Sequence, residues 1–276
     1  MGPRAVVVIG ATGAQVQRSD LNDGREVLAA AFSDAHVIFA LTDFWRTQSA
    51  ADEIVQGKAV VDAATQTDSL QHFIWSTLPD PVKMSNGRFL NVHHWKSKSL
   101  VAEYIERDYP DPWEKTTSIL FPNYFENCAS FPARYVRKKD ESDVYTLRFP
   151  HSPQTLLVRA FLEAGSTYFT KTIAFYSQAM SEAEKLAELE RVQYDIPMRY
   201  TKAIPSKFQW LLESSYGMSS EILLDFVEQL LIMEGFGNIY GREEFVQAVE
   251  ILVLTLQTWS ESLDEHDLLS KMDQEA

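Results

Sequence analysis

Unbroken apolar runs alternate with segments of helical spacing along the first half of the chain. Ala5-Val6-Val7-Val8-Ile9 ends at Gly10, and Val37-Ile38-Phe39-Ala40-Leu41 ends at Thr42-Asp43-Phe44-Trp45. His72-Phe73-Ile74-Trp75-Ser76-Thr77 ends in Leu78-Pro79-Asp80, and Thr117-Ser118-Ile119-Leu120-Phe121 ends in Pro122-Asn123. Continuous apolar strands separated by helices predict a parallel sheet covered on both faces. Helices are predicted over 24–32, 52–64 and 94–107, with Asp20-Leu21-Asn22-Asp23 ahead of the first as a cap. Ile54, Gly57, Lys58 and Val61 share one stripe of the second helix; His94, Lys98, Val101 and Ile105 share one stripe of the third. The second half reads differently. It offers strands at 144–149 and 171–176, then helices near 181–192, 219–234 and 242–263. Ser219-Ser220 can start the second of these helices and Gly235 can end it. The expectation is an α/β domain over 1–128 and a small mixed α+β, mainly helical lobe over 129–276, packed where strand ends form substrate pockets.

The first run carries a nucleotide signature that breaks off. Gly10-Ala11-Thr12-Gly13-Ala14-Gln15 is a tight glycine turn directly after a buried strand, the way a dinucleotide-binding βαβ unit begins. A helix holding pyrophosphate at its N-terminus should follow. Instead Val16-Gln17-Arg18-Ser19-Asp20-Leu21 reads as a short strand or extended loop. A parallel crossover needs about a dozen residues or more, so no helix fits. The third glycine of the motif is missing, and the residue that reads the adenosine ribose at the end of the second strand has no place. The short linker suits an antiparallel hairpin or a run across the sheet edge. The sheet is therefore expected to be Rossmann-like but abbreviated at its first crossover.

Bulk properties narrow the function classes. With 276 residues and 45% hydrophobic content the chain can build one large or two modest cores. Its net charge of −14 gives no basic footprint for nucleic acid. The single cysteine, Cys128, rules out an intramolecular disulfide and reads as a small buried hydrophobe. No apolar run reaches membrane-spanning length, no signal peptide precedes the first strand, and no His/Cys pattern suggests a metal. The expectation is a cytoplasmic protein, with a nuclear location open, that touches neither membrane nor nucleic acid and meets a small-molecule substrate or a protein partner.

Several segments together resemble one family. They are Val8-Ile9-Gly10-Ala11-Thr12-Gly13-Ala14-Gln15, Asp20-Leu21-Asn22-Asp23, Thr42-Asp43-Phe44-Trp45, Gln56-Gly57-Lys58, Phe73-Ile74-Trp75-Ser76-Thr77-Leu78-Pro79-Asp80, His94-Trp95-Lys96-Ser97-Lys98 and Pro122-Asn123-Tyr124-Phe125-Glu126-Asn127. The chain resembles the NmrA-like family, atypical short-chain dehydrogenase/reductases common in fungi, with an internal deletion after Gln15. A second contraction is expected near 150–160, ahead of a Val158-Arg159-Ala160-Phe161-Leu162 helix. The resemblance implies a Rossmann domain, NADP(H) or NAD(H) as cofactor, and a small C-terminal lobe. The family includes reductases, many of them in secondary metabolism, and redox-sensing regulators that bind dinucleotide without turning it over. Fold similarity does not choose between these.

Hydride transfer to a carbonyl needs a proton donor, a cation on the cofactor ribose and a hydroxyl that orients the carbonyl. The usual Tyr-x-x-x-Lys helix is replaced here by His94-x-x-x-Lys98, behind a strand carrying Ser76 and Thr77. Positions i and i+4 face the same way, so Lys98 can reach a ribose and His94 the nicotinamide side. The plainer alternative is a polar helix-start residue and a solvated charge. Tyr135 to Lys139 has the literal spacing but sits in a polar stretch, where chance explains it. Candidate cofactor contacts are Gly10 to Gln15, Asp20, Leu21, Thr42, Asp43, Phe44, Lys58, Lys98, Asn123, Tyr124, Phe125 and Glu126. Lys58 either snorkels from its apolar stripe or reaches a ligand; the resemblance implies the ligand. The leading expectation is an NADP(H)-dependent oxidoreductase acting on a small apolar carbonyl or imine. The alternatives are a non-enzymatic redox sensor or transcriptional co-regulator, and a truncated product that has lost cofactor binding and exposes a sheet edge.

Overall fold

The computed structural model describes residues 5–10, 13–18, 20–122, 137–139, 145–149, 156–158, 166–194, 198–251 and 257–265. In chain order the first elements are β1 (Ala5–Gly10), β2 (Gly13–Arg18), α1 (Arg25–Phe32), β3 (Val37–Ala40), α2 (Phe44–Thr47), α3 (Ala50–Ala64), β4 (His72–Thr77), α4 (Pro81–Met84), α5 (His93–Asp108), α6 (Pro110–Trp113) and β5 (Thr116–Leu120). Then come β6 (Arg137–Lys139), β7 (Tyr145–Phe149), β8 (Leu156–Val158), β9 (Thr172–Ala174), β10 (Ala179–Ser181), α7 (Glu182–Leu189) and β11 (Met198–Lys202). The last are α8 (Pro205–Tyr216), α9 (Ser220–Phe236), β12 (Val246–Gln247), α10 (Ala248–Ile251) and α11 (Trp259–Glu265).

The chain divides into two compact units. The first comprises Met1–Leu120, Glu163–Ala174 and Glu244–Val246; the second comprises Phe121–Leu162, Phe175–Glu243 and Gln247–Ala276. Two later segments, Glu163–Ala174 and Glu244–Val246, thus belong with the first unit.

The main sheet has the order β12-β9-β5-β4-β3-β1-β2. Its centre, β3, β4, β5 and β9, runs parallel, as the apolar runs predict. The other end does not. β1 pairs antiparallel with β2 from Ala5↔Arg18 to Gly10↔Gly13, and antiparallel with β3 through Val8↔Ile38 and Ile9↔Val37. Two elementary constraints produce this. Only Ala11 and Thr12 separate β1 from β2, and so short a link closes only an antiparallel hairpin. The stretch from β2 to β3 carries α1 and is long enough for a crossover, which joins parallel strands. β1 lies between β2 and β3 and so opposes both.

The core of the first unit lies between β3, β4 and the helices α1, α3 and α5. Leu28, Phe32, Ile38, Val60, Val61, Phe73, Trp75, Val101 and Ile105 are buried in it. Gly57 is where α3 and α5 come closest. A Cβ there would lie 2.6 Å from Val101 Cγ2 and 3.2 Å from the Trp75 ring. The helix tolerates glycine at this position because the neighbouring side chains occupy the space.

In the second unit β8 and β10 pair antiparallel, while β11 runs parallel to β7, which also pairs with β6. Ser181 starts α7 with a capping box to Glu184. Leu186, Phe208, Leu212, Leu223, Val227 and Leu230 join α7, α8 and α9 in one cluster. Of the helix expected from Val158, Val158 itself ends the strand β8 (Leu156–Val158), and 159–165 lie outside the described residues. The helix expected over 242–263 is shorter and broken. Val246–Gln247 adds to the sheet edge instead, and the Gln247 side chain donates to the carbonyls of Tyr240 and Arg242, so helix begins only at Ala248. Among the described residues no helix is long and apolar enough to cross a membrane.

Gly57→Ala gains roughly 1 kcal/mol of helix propensity but overpacks the seam at a cost of about 1–3 kcal/mol. The expected outcome is a net loss, read as a melting temperature lowered by a few degrees.

Candidate functional site

In open α/β sheets ligands bind beyond the carboxyl ends of the parallel strands. Here that edge is formed by Thr42-Asp43-Phe44 after β3, by Thr77 to Asp80 at the end of β4, and by the first turns of α3 and α5, which begin there. β2 runs in the same direction as β3, so the loop Asp20 to Gly24 emerges at this edge as well. That loop is held by its own Asp20 and Asp23 side chains. It is docked by Gln56 Nε2 donating to Asn22 Oδ1 at 3.0 Å and by Arg46 at 3.8 Å from Asp20.

The glycine turn is not part of this edge. Ile9 lies beside Val37, the first residue of β3, and Gly10 faces Gly13. The turn therefore sits at the amino edge, about 20 Å of strand away from Thr42 at roughly 3.3 Å per residue. No helix N-terminus follows it. Of the expected contacts, Gly10, Gly13, Ala14 and Gln15 are thus separated from Asp20, Leu21, Thr42, Asp43 and Phe44. Ala11, Thr12, Asn123, Tyr124, Phe125 and Glu126 lie outside the described residues, as do Tyr135 and Cys128.

At the carboxyl edge the side chain of Lys98 is 12% exposed and that of Glu53 is 1% exposed. Lys98 Nζ donates to Glu53 Oε1 at 2.8 Å, to the Thr42 carbonyl at 2.6 Å and to Thr42 Oγ1 at 3.0 Å. An ammonium has three hydrogens, and these three partners match them. The Thr42 hydroxyl donates to Glu53 Oε1 at 2.7 Å, and the Ser97 hydroxyl donates to Glu53 Oε2. Glu53 thus gathers β3, α3 and α5 around one buried carboxylate. Removing one partner of a buried pair costs about 3–5 kcal/mol. A hydrogen bond from Lys98 to a ligand hydroxyl returns roughly 1.5–3 kcal/mol. The internal pair is the stronger claim on the lysine.

The other candidates are spread around this network. Thr77 Oγ1 and Trp75 Nε1 each lie 3.2 Å from the Lys98 carbonyl, so both side chains face α5. Alternation along a strand turns Ser76 to the other face of the sheet, and Ser76 and Thr77 do not act on one atom. His94 is buried among the rings of Trp45, Phe44 and Trp95, with centroids at 5.0, 5.7 and 6.2 Å. It shares the face of Lys98, as i and i+4 require. Lys58 lies 4.6 Å over the Tyr104 ring. That is six residues beyond Lys98 on α5, about 9 Å down the helix at 1.5 Å per residue, so Lys58 serves the α3–α5 seam. Among the described residues no cluster of His, Cys, Asp and Glu could hold a metal ion.

Glu53 and Ser97 were not anticipated from the sequence. The signal was available: Glu53, Gln56, Gly57 and Val60 share one face of α3, and an acid on a buried face needs a cation opposite.

The chain matches the family model described as the NmrA-like family over residues 3–213. It belongs to the NmrA-like family. A Dictyostelium discoideum NmrA-like family domain-containing protein is 23% identical over 255 residues, covering 85% of this chain and 77% of that protein. The crystal structure of Nmra, described as a negative transcriptional regulator, superposes with a TM-score of 0.65 at 17% identity over 94% of this chain and 82% of that one. An NADPH-dependent quinone oxidoreductase of Escherichia coli, solved with NADPH, gives a TM-score of 0.62 at 16% identity over 90% of this chain and 82% of that one. These likenesses show that this NmrA-like chain shares the α/β fold of those two proteins.

One edge residue gives a pH signature. Asp80 caps α4 through the N–H groups of Val82 and Lys83 and accepts from Lys96 Nζ at 2.7 Å. Burial raises its pKa, but the Lys96 hydrogen bond and these backbone donors outweigh burial and hold it below the ordinary 3.8. A carboxyl depressed on folding contributes stability that is present above pH 3.8 and lost as pH falls through its folded value. Asp80→Asn should therefore lower stability at neutral pH and flatten the acid limb of a melting-temperature profile as pH falls past 3.8.

Proposed function

We propose that this NmrA-like chain is a non-catalytic regulator: a dinucleotide-type fold that answers to a nicotinamide dinucleotide and acts through a protein partner. The observation that carries this reading is the state of Lys98. A hydride-transfer site needs that cation on the ribose and an acid beside the substrate oxygen. Here the ammonium is engaged by Glu53 and Thr42, and the acid position is taken by a histidine enclosed by three aromatic rings. The likeness to Nmra, a negative transcriptional regulator that has also been crystallised with NADP, supports it.

The fit to NADP(H) or NAD(H) is partial. Asp20, Leu21, Thr42, Asp43 and Phe44 share the ligand edge, but Leu21, Thr42 and Phe44 are buried there, and only Asp20 and Asp43 are open to a nucleoside. The glycine turn lies at the opposite edge and does not suit the pyrophosphate.

A second reading is the NADP(H)-dependent oxidoreductase, reducing a small apolar carbonyl or imine. The observation in its favour is the shared face of His94 and Lys98 behind Thr77, beside an apolar wall of Phe44, Trp45 and Trp95. The likeness to the quinone oxidoreductase supports it.

Titration of NADPH and NADH, followed by tryptophan fluorescence, and assays against carbonyl, imine and quinone libraries separate the two. The regulator reading expects saturable but weak binding, no NADPH oxidation, and partner capture that changes with nucleotide. Sustained NADPH oxidation with any library member selects the enzyme. No saturation up to millimolar nucleotide would overturn the dinucleotide part of both readings.

A further inference from the structure

We propose that Lys98 is a structural tie rather than a ligand contact: Glu53 is its resident partner and withholds its ammonium from any molecule that binds at the carboxyl edge. The inference rests on the proposed placement of a dinucleotide at that edge, and it assigns the edge's most prominent cation to the protein interior.

The geometry behind it is specific. Glu53 is almost wholly buried, on a helix, with Gly57 and Gln56 packed on the same face. Its side chain is 1% exposed. Its Oε1 accepts from both Lys98 and Thr42, and its Oε2 accepts from Ser97. Release of Lys98 toward a ligand would leave that carboxylate with two hydroxyl donors and no cation, a buried charge without compensation. The Thr42 carbonyl would also lose the donor that it holds at 2.6 Å. Thr42 lies in the link from β3 to α2, so the same contacts that occupy the lysine also hold that link in place. The backbone of α5 is tied in as well, because Trp75 and Thr77 both donate to the carbonyl of Lys98. Lys98 thus connects three elements through its side chain and a fourth through its backbone. A dinucleotide seated here would meet the exposed Asp43 and the exposed Asn22 and Asp23 of the Asp20 loop, and not the ammonium.

The test begins with the unmodified protein. Lysines are acetylated with a limiting amount of an N-hydroxysuccinimide ester, with and without saturating NADPH, and each site is quantified by mass spectrometry. Lys83 and Lys202, with side chains 70% and 53% exposed, are the references. Lys98 should react at least tenfold more slowly than either, with no further protection by NADPH. Reaction at the reference rate, or protection of Lys98 by NADPH, would overturn the proposal.

A second measurement uses urea unfolding of Glu53→Gln, Lys98→Met and the double variant. Each single change should lower the midpoint, and the second change should cost less in the background of the first. Additive losses would overturn the tie. NADPH affinity of Lys98→Met should stay within twofold of the parent; a tenfold loss would return the lysine to the ligand. If the parent itself takes up no NADPH, the dinucleotide placement fails, while acetylation without nucleotide and the unfolding cycle still decide the tie.

Discussion

The two residues between Gly10 and Gly13 govern the plan of the first unit. A link of that length can close only a hairpin, and the crossover through α1 keeps β2 parallel to β3. β1 is left antiparallel to its neighbours, and its glycine turn faces the amino edge of the sheet. The strand retains the neighbour β3, yet the motif at its end is carried to the wrong side for a phosphate. One connection length therefore decides which residues of a familiar sequence pattern can meet.

The loop that does reach the carboxyl edge is chemically different. It carries Asp20, Asn22 and Asp23, bonded among themselves and to Gln56 and Arg46. A glycine turn at a helix N-terminus offers N–H groups and a positive dipole to an anion; this loop offers carboxylates. Beside it the Glu53 carboxylate takes up the lysine that would otherwise supply charge. Burial and pairing make this arrangement rigid. They hold the Lys98 ammonium on internal partners, the observation on which the proposed regulator reading rests.

Much of the central sheet was legible in the sequence because its strands are covered on both faces and so read as unbroken apolar runs. β3, β4 and β5, together with α3 and α5, fall within a residue or two of their expected limits. The hairpin was one of two outcomes left open by the short linker. What stayed hidden was direction: a periodic pattern says that β1 is a strand, not which way it points. α8 was missed although Pro205 opens it and Gly217 closes it in the left-handed conformation, because its apolar face is interrupted by polar residues. The expected role of Lys98 was argued from its spacing to His94, which the helix preserves. Spacing along one helix carries no information about an acid on another, and Glu53 enters from α3, far away in sequence.

The orientation of β1 can be measured directly. In a Cys128→Ser background, spin labels are placed at Ala14 and Asp34 in one protein and at Ala14 and Thr47 in another, and both distances are read by pulsed electron resonance. Asp34 precedes β3 at the amino edge, and Thr47 ends α2 at the carboxyl edge. The reversed hairpin predicts that Ala14 lies closer to Asp34 than to Thr47. The opposite order would place the glycine turn at the ligand edge and contradict the account.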